Sequence, residues 1–78
     1  MYNYDTSKLR GKIIEKFGSQ KKFAEASQNS VSYISQYLNG KIYLDQVTIE
    51  RWAELLDIST EEINKYFFKK KVHEMELA

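Results

Sequence analysis

No proline interrupts this chain of 78 residues, and glycine stands at only three positions, Gly11, Gly18 and Gly40. A chain with so few breakers, rich in Lys, Glu, Gln, Leu and Ile, favours helices joined by short turns. Residues suited to opening a helix recur along it: Asp5, Thr6 or Ser7, then Ser19, Ser30, Asp45 and Ser59. Behind each runs an apolar pattern at helical spacing. Leu9, Ile13, Ile14 and Phe17 form the first, closed by Gly18 where a left-handed residue is wanted. Phe23, Ala24 and Ser27 form the second. Ile34, Tyr37 and Leu38 form the third, which ends at Asn39-Gly40, and Ile49, Trp52, Ala53, Leu55 and Leu56 form the fourth. Ser59-Thr60-Glu61-Glu62 reads as a capping box, Ser59 answering Glu62, ahead of a fifth helix with Ile63, Tyr66 and Phe67. The expected architecture is all-α, a compact five-helix bundle. It forms one domain over residues 1–78, with its core at about 6–68 and an unassigned tail at 69–78.

A chain this short buries only about 60–65% of the surface that it exposes when unfolded, so its stability should be marginal. It has no cysteine and a single histidine, His73, which leaves neither a disulfide framework nor the usual ligands of a zinc site. There is no Gly-rich phosphate loop, and no nucleophile stands near a base. The expectation is therefore a non-enzyme without cofactor, metal or small-molecule ligand. No apolar run reaches membrane-spanning length and no signal-peptide pattern opens the chain, so a cytoplasmic location is expected.

The net charge of +1 conceals an asymmetry. Residues 1–44 hold seven Lys/Arg against three Asp/Glu, a balance of +4, whereas residues 45–78 hold five against eight, a balance of −3. One half of the molecule can face a polyanion while the other does not. From Ser27 to Leu44 there is no acid at all. Very few residues separate the second and third helices, which forces a steep crossing. Ala24 supplies the small side chain at the close approach, and Phe23, Ile34 and Leu38 or Tyr37 supply the inner faces. That is the construction of a helix-turn-helix, which presents its second helix outward.

The stretch Ser19-Gln20-Lys21-Lys22-Phe23-Ala24-Glu25-Ala26, followed by Ser30-Val31-Ser32-Tyr33-Ile34-Ser35-Gln36-Tyr37-Leu38-Asn39-Gly40-Lys41, resembles the helix-turn-helix of the phage Cro and repressor family. The register continues through Leu56-Asp57-Ile58-Ser59 to Glu62-Ile63, so the likeness covers about residues 9–66. It implies a lambda repressor-like DNA-binding domain. The turn departs from the family pattern: Gln28 stands where glycine is preferred, between Ser27 and Asn29 where apolar residues are usual. Asn29, tolerant of the left-handed region, is expected to take over that turn.

The resemblance places Val31, Ser32 and Gln36 at base-reading positions, with Tyr33 and Ser35 flanking them. Gln36 can pair bidentately with adenine, Ser32 can donate or accept, and Val31 can pack on a thymine methyl. Gln20 and Ser30, at helix starts, match phosphate-clamping positions, as do Asn39 and Lys41 beyond the recognition helix; Lys21 lies near a phosphate. The expected function is a Cro-like, sequence-specific transcriptional regulator of phage type. Its partner is double-stranded DNA bearing an inverted-repeat operator, engaged by a homodimer that forms in solution or only on DNA. Phe68, Tyr66 and the tail through Leu77 are the apolar groups left for that dimer. A rival reading keeps the scaffold and changes the partner: a protein-interaction module, antirepressor or antitoxin, that binds another regulator. The recognition helix contains no Arg or Lys, which suits the rival. A basic-aromatic membrane patch at residues 65–71 is the weakest reading, because Tyr66 and Phe67 are needed to close the bundle.

Overall fold

The structure is a computed structural model in which residues 4–70 are described. Five α-helices follow one another: α1 (Ser7–Phe17), α2 (Gln20–Ser27), α3 (Val31–Leu38), α4 (Gln46–Leu55) and α5 (Ile63–Phe67), with a 3-10 turn (Thr60–Glu62) leading into the last. Among the described residues there is no strand, only an isolated bridge between Tyr4 and Lys70.

The helices start where the sequence offers an acceptor to the orphan amides of a first turn. The Ser19 hydroxyl accepts from the Lys22 amide (3.1 Å), Ser30 from Tyr33 (3.0 Å), and the Asp45 carboxylate from Thr48 (2.8 Å). α1 begins differently. Asp5 accepts from the Ser7 amide (2.9 Å), while Thr6 turns its hydroxyl away to donate to the Leu38 carbonyl (2.6 Å). At the 3-10 turn, Glu62 accepts from both the hydroxyl (3.1 Å) and the amide (3.5 Å) of Ser59. Only five residues of α5 follow as α-helix, so the expected fifth helix is split into two short pieces.

Three helices end in one way. A left-handed residue follows the helix, and the next amide reaches back five residues. Gln28 (φ 61°) is followed by Asn29 N–H donating to Ala24 (3.1 Å), Gly40 (φ 76°) by Lys41 to Gln36 (2.8 Å), and Asp57 (φ 56°) by Ile58 to Ala53 (2.8 Å). The turn after α2 thus places Gln28, not Asn29, in the left-handed region. Asn29 has another use.

That use is in the core. Trp52 is fully buried, with Phe23, Tyr37 and Tyr33 set nearly perpendicular to its ring at centroid distances of 5.1, 5.8 and 6.4 Å. Such edge-to-face packing sets the positive edge of one ring against the electron-rich face of the other. The indole N–H donates to Asn29 Oδ1 at 2.9 Å, so the residue after the left-handed turn satisfies the largest buried side chain. Leu9 and Ile13 from α1, Ile34 and Leu38 from α3, and Phe67 from α5 complete the enclosure, and the Tyr37 hydroxyl donates to the Phe67 carbonyl (3.1 Å). Among the described residues no buried side-chain nitrogen or oxygen lacks a partner.

Two contacts close the periphery. Asp5 N–H donates to the Lys69 carbonyl (2.6 Å), so Lys69 and Lys70, placed in the tail by sequence, pair with the N-terminal segment. Residues 71–78, including His73 and Leu77, lie outside the described residues. Lys16 forms an ion pair with Asp57, tying the end of α1 to the turn after α4.

Removing the Asn29 acceptor strands a buried donor. Asn29→Ala is therefore expected to destabilise the fold by about 1–3 kcal/mol in urea denaturation, and by clearly less when Trp52 is already Phe. Acid should act through two carboxylates. The Lys16 ammonium, by hydrogen bond and then by charge, holds Asp57 below the usual carboxylate range, and bonding to Thr48 does the same for Asp45. A lowered folded value gives stability that is fully present above the unfolded value of about 3.9 and is lost as pH falls through the folded one. Asp57→Asn should accordingly lower the thermal midpoint at neutral pH, with the two melting curves converging under acid.

Candidate interaction site around the outer helix

α2 and α3 are joined by three residues, Gln28, Asn29 and Ser30. The short turn, anchored to Trp52 through Asn29, sets the start of α3. Its other end is held from α1: Thr6 donates to the Leu38 carbonyl, and Arg10 Nη2 donates to the same carbonyl (3.1 Å) and to Asn39 Oδ1 (3.0 Å). A guanidinium at a helix C-terminus also complements the partial negative charge there. These two anchors were missed by sequence reasoning. Both act across about thirty residues of chain, and neither residue stands out within its own helix.

The inner face of α3 is Ile34, Tyr37 and Leu38, all buried. Its outer face carries Val31 (43% exposed), Ser32 and Gln36. Gln36 Nε2 donates to the Ser32 hydroxyl one turn earlier (3.1 Å), so two of the expected base-reading groups pair with each other. The two flanking candidates are half-buried. The Tyr33 ring meets Trp52 edge-on, and the Ser35 hydroxyl accepts from Asn39 Nδ2 (3.2 Å).

Of the expected phosphate-clamping residues, Gln20 is half-buried as the first residue of α2, and Lys21 is exposed beside it. Ser30 is exposed, with its hydroxyl committed to capping α3. Asn39 is exposed and engaged on both sides, by Arg10 and by Ser35. Lys41 is exposed just past α3. The structure thus brings Val31, Ser32 and Gln36 onto one outward surface and draws Tyr33 partly into the core.

The electrostatics differ from what the half-chain count of +4 suggests. α3 itself carries no charged residue. On α1, Lys16 is paired with Asp57 and Lys12 with Glu15 (4.0 Å), while the Lys8 ammonium sits 5.6 Å from the centre of the Tyr66 ring. The exposed cations on or next to the helix-turn-helix are Lys21, Lys22 and Lys41. Among the described residues no group of three His, Asp or Glu side chains is arranged to hold a metal ion, and no helix is long and apolar enough to cross a membrane.

No curated protein matches the chain. Among solved structures it is similar to the solution structure of the modulator of repression of the temperate bacteriophage TP901-1 from Lactococcus lactis. The two are 41% identical, with 91% of this chain and 96% of that one covered and a TM-score of 0.75. Residues 2–70 match a family described as "Protein of unknown function (DUF739)". These matches do not assign the chain to the Cro and repressor family, and the family to which it belongs is DUF739.

Proposed function

We propose that this chain modulates repression in a phage by binding a repressor protein, and that it does not act chiefly by reading an operator. The observation that carries the reading is the 41% identity, across nearly the whole of both chains, with the modulator of repression of a temperate bacteriophage. The neutral outer helix supports a protein partner over DNA. Affinity for a duplex comes largely from Lys and Arg neutralising phosphates, and here a helix without a cation has only Lys21, Lys22 and Lys41 near it. This is a binding role in the cytoplasm, with no catalytic step and no cofactor.

Direct operator recognition is the second reading. The shared outward surface of Val31, Ser32 and Gln36, within a segment free of acids, favours it. One helix reads only a few base pairs, so this reading also needs a homodimer on an inverted repeat. The two readings separate in one pair of experiments. The chain is titrated into the repressor encoded by the same genome, and it is also used to select duplexes from a random pool. Repressor binding without an enriched sequence is expected. Gln36→Ala would cost about 1–3 kcal/mol on a selected site if that side chain read a base, and is expected to leave duplex binding unchanged. An enriched inverted repeat that depends on Gln36, with no repressor complex, would overturn the proposal.

A further inference from the structure

Along the side of α4 that faces the 3-10 turn and α5 runs an open groove. One end is a cavity of about 480 Å³ floored by Leu44, Ile49, Ile63 and Phe68. It continues into a second cavity of about 360 Å³ over Ala53 and Ile58. Glu50, Thr60 and Ile63 line both, so the two adjoin along α4. Phe68 is 39% exposed at one end, where its ring packs edge-on against Tyr4 at 5.6 Å.

Every ionisable side chain on the groove is a carboxylate: Glu50 in both cavities, and Glu54 in the second. Neither forms an ion pair among the described residues; Glu50 accepts only from Gln46 (3.1 Å). The opposite wall offers the neutral hydroxyls of Ser59 and Thr60. We infer that this groove is the docking surface for the protein partner, and that its occupant is a basic amphipathic helix. Such a helix would set apolar side chains on Ile49, Ile63 and Phe68 and Lys or Arg side chains over Glu50 and Glu54.

The spacing fits. Glu50 and Glu54 stand one helical turn apart, about 6 Å along the axis, which is also the separation of two cations at i and i+4 on a helix lying alongside. The apolar floor takes the i, i+3, i+4, i+7 anchors of a helix bound in a groove. Charge excludes the other candidates. Carboxylates on the rim repel a nucleic acid. In a second copy of this chain the basic helix would be α1, but there Lys12 and Lys16 are already paired with Glu15 and Asp57, and Arg10 holds the end of α3. A head-to-tail contact of that kind would also build a ring or an open filament in place of a simple pair.

The inference rests on the protein-binding reading and specifies its surface. Its test uses the full chain, the repressor, and a synthetic helical peptide with leucine anchors and a lysine rim, alongside the same peptide with a glutamate rim. The lysine-rimmed peptide should bind in a salt-sensitive manner and shift the backbone resonances of Leu44, Glu50, Ile63 and Phe68. Glu50→Lys with Glu54→Lys, both exposed positions that should leave the fold intact by circular dichroism, should weaken binding of that peptide and of the repressor by at least about tenfold. The double variant should also gain binding to the glutamate-rimmed peptide. Equal binding of the two peptides, resonance shifts confined to α3, or self-association through the groove would each overturn the inference. A repressor complex indifferent to the double variant would likewise overturn it while leaving the protein-binding reading in place. Groove binding of the lysine-rimmed peptide without any repressor complex would support the surface and sink that reading.

Discussion

The indole of Trp52 is the member on which the rest of the structure leans. It is the largest fully buried side chain, and its three aromatic neighbours come from α2 and α3. Its single polar atom is satisfied from the turn between those two helices. A buried indole N–H without a partner would cost about as much as a lost hydrogen bond with full desolvation, a large share of the margin available to so small a domain. The bond to Asn29 is therefore a geometric condition as well as a stabilising one. The turn has to sit where its side chain reaches α4, and this fixes how α3 leaves α2. Local backbone chemistry agrees with that demand. Gln28 accepts the left-handed conformation that glycine would take more easily, and the next residue is then free to face inward.

With its start fixed by that bond and its end fixed by Thr6 and Arg10, α3 is presented as a rigid element. A helix held at both ends suits any partner, because conformational freedom lost on binding subtracts from affinity whether the target is a duplex or a protein. The scaffold therefore does not choose between partners, and charge does. An outward helix without cations, together with a groove whose ionisable lining is wholly acidic, offers a polyanion little to gain. On the proposed reading, the partner is chosen by where the sequence sets its carboxylates and ammonium groups on a common architecture.

What was legible in the sequence was local. The caps at Ser19, Ser30 and Asp45 and the left-handed residue at Gly18 depend on neighbours within a few positions, and all four occur as the spacing indicates. Most of the core list was likewise readable from periodicity, because α1, α2, α3 and α4 each bury one stripe, but Ile14, expected in the stripe of α1, is 50% exposed because it falls to the side of the face that Leu9 and Ile13 bury. Errors arose where a residue had two plausible uses. Asn29 and Gln28 are both tolerable in the left-handed region, and the acceptor that Trp52 requires assigned Asn29 to the core contact. Tyr33 lies between the inner and outer faces of α3, and its ring is long enough for its edge to reach Trp52 while the residue stays half-exposed. Arg10, Thr6 and the Lys16–Asp57 pair were invisible for another reason: each joins segments far apart in sequence, and no local pattern marks them.

The same limit explains why the charge count pointed toward a polyanion. A sum over the first 44 residues treats every cation as available, but folding assigns several of them. Lys12 and Lys16 meet carboxylates, Lys8 lies over an aromatic ring, and Arg10 is drawn to the end of α3. The two ion pairs leave less positive field to project at a long-range partner, since paired charges act as dipoles whose potential falls off faster than that of a single charge and is further screened by salt, while Lys8 and Arg10 keep their charge but are held to fixed positions. In the acidic half the opposite holds. Asp57 is used internally and Asp45 caps a helix, but Glu50 and Glu54 remain on a rim beside apolar surface. Among the carboxylates that folding leaves outward, Glu50 and Glu54 are the two that stand together beside an apolar groove, which is the arrangement the proposed basic partner requires.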